Sequence, residues 1–295
     1  MLRYVLQGLL GLALAAGLLT PVAHAGETGK LLLIAGTPSH GPGEHEFNAG
    51  VQLLAHCLES VKGLETVVQL NGWPEDLSRF DGVTGILLYM DGGTNHPAVQ
   101  KDRLKFLGAL MDKGVGLMCA HFGVEVLADK GGPEFKQWIG GYYENAWSCN
   151  PMWIPNYASF PKHPVANGVK PFEIRDEWYM HMRFRDEMAG VTALLVATPS
   201  DEVRNGPYVY PAGPYPHIQA DKGKPESMMW AVERPDGGRG AGFTGGHFHR
   251  NWGNDDFRKI VLNALVWVSG MEVPADGVQS TVTEADLAKN LDPKK

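Results

Sequence analysis

Apolar runs and amphipathic stretches alternate along the chain from residue 30 onward. Lys30-Leu31-Leu32-Leu33-Ile34-Ala35-Gly36 is apolar throughout after its first residue, the pattern of a strand buried on both faces. From Glu46 the residues Phe47, Val51, Leu54, Ala55 and Leu58 recur at helical spacing, which predicts an amphipathic helix over 46–60. The runs 66–70 and 85–90 predict a second and a third strand, 99–113 a further helix, and 115–120 a fourth strand. This alternation points to an α/β fold with a doubly wound, mostly parallel sheet, whose ligands sit outside the carboxyl ends of the strands. From 144 to 240 the pattern loosens into an irregular Pro-, Gly- and aromatic-rich insertion with short strands such as 192–197. The sheet resumes at 240–245, and 257–268 reads as a closing helix capped by Asp255 or Asp256. One domain over 30–270 is expected, followed by a C-terminal tail at 271–295.

Residues 1–25 follow a different pattern. Arg3 precedes an apolar run from Gly8 to Leu19, Pro21 ends it, and Ala23-His24-Ala25 supplies small residues around a cleavage site. The run is shorter than the roughly 20 residues that span a bilayer, so the segment reads as a secretory signal peptide. The expected location is periplasmic or secreted, with no membrane attachment after cleavage. The net charge of -7 offers no broadly basic surface and argues against a nucleic-acid partner. With 44% apolar and 20% charged residues, the chain can build a core and does not read as disordered. Glycine is abundant, at 37 of 295 residues, which suits a loop-rich α/β protein. Cys57, Cys119 and Cys149 are too few for a disulfide framework, leaving open one bond such as Cys57–Cys149 or three separate buried thiols.

Candidate chemistry lies where the histidines fall. His40 and His45 follow the first strand, His121 follows the 115–120 strand, and His247 and His249 follow the last. Imidazoles gathered from separate strand ends can bind a divalent metal or move protons near neutral pH. His24, His56, His163, His181 and His217 occupy no such position and read as structural or surface residues. The turn Cys119-Ala120-His121-Phe122-Gly123 has the form of a nucleophile elbow, but its apex is His121. Cys119, two positions back on the strand, reads as a small buried core residue. There is no HExxH motif, since Ala49 stands four after His45. Nor is there a GxGxxG or Walker pattern after the first strand.

His45-Glu46-Phe47 with Ala49-Gly50, the turn from Cys119 to Gly123, Asp176-Glu177-Trp178-Tyr179, and the run from Gly240 to His247 together resemble the ThuA-like, trehalose-utilisation family. The resemblance covers roughly residues 30 to 270. It implies a class I glutamine-amidotransferase-like fold without the amidotransferase cysteine, and a role in carbohydrate catabolism on 3-keto sugars made by partner dehydrogenases. Strand alternation puts Glu177 and Tyr179 on one face. Glu177 can then complete a His45, His121, His247, Glu177 set for zinc or a similar divalent ion, or else pair with Arg175, Arg183 or Arg185. Glu177 or His249 is expected to move a proton and Tyr179 to donate to a substrate oxygen. Trp73, Trp147, Trp153, Trp178, Tyr142, Tyr143 and Trp252 are candidates for a sugar platform, with the core as the competing place for them. The expected function is that of an exported, metal-dependent lyase or hydrolase acting on 3-keto sugars or glycosides. A non-catalytic periplasmic sugar-binding or accessory protein is the alternative.

Overall fold

The structure, a computed structural model, describes residues 26–294. The leader expected at 1–25 lies outside them. Seven strands form the main sheet: β1 (Gly29–Ala35), β2 (Leu64–Gln69), β3 (Gly85–Tyr89), β4 (Gly116–Ala120), β5 (Val191–Ala197), β6 (Glu226–Glu233) and β7 (Arg239–Phe243). Their order is β5-β6-β7-β4-β3-β1-β2. Pairing is parallel from β7 through β4, β3 and β1 to β2, while β6 runs antiparallel to both of its neighbours. The four main helices are α1 (Phe47–Leu58), α2 (Arg103–Met111), α3 (Gly132–Ile139) and α4 (Asp255–Val268).

Period-two alternation sorts the strand side chains between two apolar layers. Leu31, Leu33, Leu87, Tyr89, Met118 and Phe243 pack on one face with Phe47, Val51 and Leu54 of α1 and with Ile260, Val261 and Leu265 of α4. Leu32, Ile34, Ile86, Leu88, Leu117 and Cys119 pack on the other face with Leu107 and Met111 of α2 and Phe135 and Trp138 of α3. Each fully buried Leu or Ile contributes about 1.5–3 kcal/mol relative to exposure. That burial fixes the strand register and with it the loops at the carboxyl ends.

The structure departs from the sequence reading in four places. The α4 cap is Asn254, whose Oδ1 accepts from the backbone N–H groups of Asp256 at 3.1 Å and Phe257 at 3.0 Å, while Asp255 pairs with Arg258. Strand β6 and helix α3 were not anticipated. Because β5 and β6 lie inside the 144–240 stretch, that stretch contains the antiparallel edge of the main sheet as well as irregular connections. The segment after α4 is strapped down. Val273 and Val278 are buried, and the backbone N–H of Asp292 donates to Glu46 Oε2 at 2.8 Å. Lys294 Nζ lies 3.4 Å from Glu46 Oε1, so the chain end reaches the loop that carries His45. All three cysteines are free and buried. No described helix is long and apolar enough to cross a membrane.

Candidate metal centre and cavity

The carboxyl ends of β1, β3, β4 and β7 open on one edge of the sheet, and each is followed by polar residues that point to a common place. His45 ends the loop after β1, Asp91 follows β3, His121 follows β4, and His247 follows β7. The loops come close because Gly92 leaves room: a Cβ there would lie 2.1 Å from the carbonyl oxygen of Phe122. His45 and His121 both hold φ in the left-handed region, at 46° and 51°. That backbone costs a non-glycine residue about 1–3 kcal/mol and persists only where the surrounding fold enforces it. The strained apex after β4 fits the elbow read from the sequence, with an imidazole on it.

His45 Nε2 lies 3.0 Å from His247 Nδ1 and 3.0 Å from His121 Nε2, and the last two are 3.3 Å apart. Glu177 Oε2 is 2.8 Å from His247 Nδ1 and 3.4 Å from His121 Nε2. These four ligand atoms all fall within 4.8 Å of one another on buried residues. Tyr179 Oη lies 3.4 Å from His121 Nε2, so alternation along 177–179 does bring both side chains to the group. The arginines offered as partners for Glu177 are engaged elsewhere. Arg183 makes a two-pronged pair with Glu144, Arg185 donates to the carbonyls of Lys136 and Gln137, and Arg175 lies over the Phe248 ring.

The outer contacts of the imidazoles decide what the inner atoms can do. His45 Nδ1 faces Asp91 Oδ1 at 2.9 Å, and His121 Nδ1 faces the carbonyl oxygen of Thr244 at 2.9 Å. Both outer nitrogens must therefore be N–H donors, so that in the neutral ring each Nε2 lone pair turns inward. His247 brings Nδ1 to the group, and its Nε2 is buried with no hydrogen-bond partner. Inward lone pairs crowded around a carboxylate oxygen repel unless a cation or shared protons lie between them. Three imidazole nitrogens and one carboxylate oxygen, with outer hydrogen bonds fixing two rings, fit a divalent first-row metal.

The local electrostatics differ among these residues. Burial pushes Glu177 up, but its hydrogen bonds and charge interactions with His121 and His247 outweigh that and hold it at about 2. Burial pushes His121 down, and the Glu177 carboxylate more than reverses it, leaving the imidazole above its ordinary value. Burial and the neighbouring imidazoles drive His45 far below its ordinary value. Its ring is therefore neutral, with a lone pair that could bind a cation.

Asp91 and Asn150 were not singled out in the sequence, and His40 and Asp176 were named there without the roles they take here. Asp91 orients His45, and His40 stacks on the His45 ring at 3.5 Å between centroids. Asp176 is wholly buried. Its Oδ1 accepts from the backbone N–H groups of Glu177 at 2.8 Å and His247 at 3.1 Å. Its Oδ2 accepts from the N–H of Gly246 at 2.8 Å and from Asn251 Nδ2 at 3.0 Å. Asn150 Nδ2 donates to Glu177 Oε1 at 2.7 Å. His249, expected near the site, is not among the converging residues. The turn His249–Gly253 carries it away from them, and both its ring nitrogens are buried without a hydrogen-bond partner.

The group opens on a cavity of about 600 Å³ lined by His45, Glu177, Tyr179, Glu125, Asn145 and Tyr210 among others. Burial lifts the Glu125 carboxyl to about 7. Most of the candidate aromatics belong to the core, as expected: Trp153, Trp178, Trp252, Tyr142 and Tyr143 are all buried, and Trp147 stacks on His217. Cys119 is buried in the core, and desolvation raises its thiol far above the ordinary range. Cys119→Ala should therefore keep full metal content and activity and cost about 1 kcal/mol in a denaturation experiment. Inactivation of a well-folded Cys119→Ala protein would restore a role for the thiol.

A family model for ThuA, described as trehalose utilisation, matches residues 31–268. The chain belongs to the ThuA family. The ThuA domain thus takes in all seven strands except the first two residues of β1, together with His45, His121, Glu177 and His247. Among solved structures, this ThuA chain is similar to one from Bacteroides uniformis described as ThuA-like, with 17% identity, a TM-score of 0.57, and coverage of 84% of this chain and 94% of that one. Another ThuA-like structure, from Parabacteroides merdae, gives 16% identity, a TM-score of 0.54, and coverage of 88% and 99%. At these identities the likeness is one of fold. No curated protein matches the sequence.

Proposed function

We propose that this protein is an exported, metal-dependent lyase or hydrolase that cleaves 3-keto glycosides. We further propose that its scaffold is class I glutamine-amidotransferase-like, with His121 in the elbow position. The observation that carries the reading is the convergence of His45, His121, His247 and Glu177 on one point at the mouth of a sugar-sized cavity. The family's association with trehalose utilisation supports a carbohydrate ligand, and the leader at residues 1–25 supports export.

A divalent ion held by these four residues would supply Lewis acidity toward a substrate oxygen. In a 3-keto glycoside the ketone acidifies the hydrogen on C2. A base removes that proton, the freed electron pair forms the C1–C2 double bond as the C1–O bond breaks, and the leaving oxygen takes a proton. Glu177 has both carboxylate oxygens engaged, by two imidazoles and by Asn150, so it acts as a ligand and not as the free base. His249 lies outside the group. Glu125 lines the cavity, and its carboxyl, lifted to about 7, can take and return a proton near neutrality. Tyr179 is buried, which keeps its phenol protonated, so its O–H is available to donate to a substrate oxygen.

The reading is tested by offering a 3-keto glucoside and its unoxidised parent in deuterium oxide. Cleavage of the keto compound alone is expected, with the C2 hydrogen lost in the elimination and deuterium appearing at C2 when solvent D2O then adds across the C1–C2 double bond. Equal turnover of the parent would point to ordinary glycoside hydrolysis and sink the elimination route. Binding of the keto glucoside without turnover would favour the non-catalytic alternative.

A further inference from the structure

Single apolar residues scattered over a surface need no explanation, but a few stand side by side at a cavity. Val209 and Tyr210 do: they are 49% and 71% exposed, and both line the cavity beside the histidine group. The other exposed large apolar residues among those described, Leu77, Ile154 and Leu291, do not line it.

The pair is held in place by the site itself. The backbone N–H of Val209 donates to the carbonyl oxygen of Asn150 at 3.2 Å, and that of Tyr210 to Asn150 Oδ1 at 3.0 Å. The same Asn150 side chain donates through Nδ2 to Glu177 Oε1 at 2.7 Å. One amide therefore fixes the Val209–Tyr210 lip relative to the carboxylate of the candidate centre. Tyr208, one residue earlier, is buried against Cys149, Met180 and Ile218 and anchors the segment from below. Pro207, Pro211 and Pro214 further restrict the backbone around it.

Most of the remaining lining is polar, with Thr94, Asn95, Glu125 and Asn145 offering donors and acceptors, while Phe122 and Leu127 add apolar surface. A ligand that suits both needs an apolar face and a polar rim. A pyranose ring has both: its axial C–H bonds lie against an aromatic face while its equatorial hydroxyls point to amides and carboxyls. We propose that Tyr210 is the stacking wall for a pyranose ring in this cavity and a specificity-determining residue of the site, an inference that rests on the carbohydrate reading above.

The experiment measures binding of trehalose, methyl α-glucoside and a 3-keto glucoside by calorimetry to the metal-loaded wild type and to Tyr210→Ala, Tyr210→Trp and Asn150→Ala, with metal content measured in parallel. The wild type is expected to bind at least one of these sugars. Tyr210→Ala should weaken it ten-fold or more with metal content unchanged, while Tyr210→Trp stays within about three-fold. Asn150→Ala, which removes the side-chain anchor of Tyr210 and keeps the Val209 bond to the backbone carbonyl, should weaken binding in the same direction and by less. Wild-type affinity in Tyr210→Ala overturns the wall and leaves the carbohydrate reading standing. A loss of metal together with sugar in Tyr210→Ala also overturns it, since the residue would then be holding the centre. If the wild type binds none of these sugars, the carbohydrate reading fails and the wall fails with it.

Discussion

His121→Ala is expected to abolish stoichiometric metal binding while leaving a folded protein. The imidazole sits at the apex after β4, where its Nε2 lies within 3.4 Å of His45, His247, Glu177 and Tyr179. Removing it leaves the Glu177 carboxylate with one nearby imidazole in place of two and opens the centre of the donor set. In the wild type, an ion supplied at about 1,000 times its dissociation constant stabilises the native state by about 4 kcal/mol. In a domain of this size that corresponds to a rise of about 8–16 °C in Tm. His121→Ala should lose this metal-dependent rise, with elemental analysis of the purified variant giving well under one ion per chain. Chelator-treated wild type should melt like the variant and recover on readdition of a divalent ion. Occupancy should also fall on acidification, because protons compete for the imidazole lone pairs that face inward. A His121→Ala protein that still carries one ion per chain, or a wild type whose Tm ignores both chelator and added metal, would remove the metal centre from the account.

The parts of this arrangement that could be read from the chain are those with a period or a fixed place in the topology. Strands β1, β3 and β4 are uninterrupted apolar runs because helices cover both their faces, and a continuous run is legible without any partner. β7 was legible as well, although it is mostly glycine and alanine. Strand β6 was missed because its Met-Met-Trp centre follows a proline- and glycine-rich stretch, which hides the strand among loops. Helix α3 begins Gly-Pro and lasts only eight residues, too few to establish a period. The three histidines could be located because each stands at a strand end, and Glu177 because alternation pairs it with Tyr179. Asp91 carried the same strand-end signal and could have been found with them. Asp176 and Asn150 had no such signal: their importance lies in which backbone N–H groups they meet, and this depends on the way short irregular segments fold over one another. His249 is the opposite lesson, since two residues after the candidate ligand His247 a tight turn carries its side chain out of the group. The aromatics were legible mainly as core, which most of them are, while the exposed Tyr210 stood in a loop with no pattern at all.

Asp176→Asn is expected to damage both stability and the centre, although it changes one oxygen to an amide nitrogen. Both carboxylate oxygens of Asp176 accept two donors each: the N–H groups of Glu177 and His247 on one side, the N–H of Gly246 and the Asn251 amide on the other. An asparagine has only one acceptor atom, so either orientation turns its NH₂ group toward two donors. With the site wholly buried, water cannot relieve that clash, and each lost charge-assisted bond matters more than an exposed one. The loss should amount to about 3 kcal/mol, or roughly 6–12 °C in Tm. Because two of the displaced donors belong to Glu177 and His247, the cost should fall on the ligand set as well. Metal affinity of Asp176→Asn should drop by about 10–100-fold, the range typical of losing an outer contact that orients a ligand. Thermal melts of the chelated and the metal-loaded variant separate the two effects, since the first reads the packing loss alone and the second adds the weakened binding. An Asp176→Asn protein that melts within about 1 °C of wild type in both states, where the expected shift is several times larger, would mean that these four hydrogen bonds do not hold the His247 loop in place.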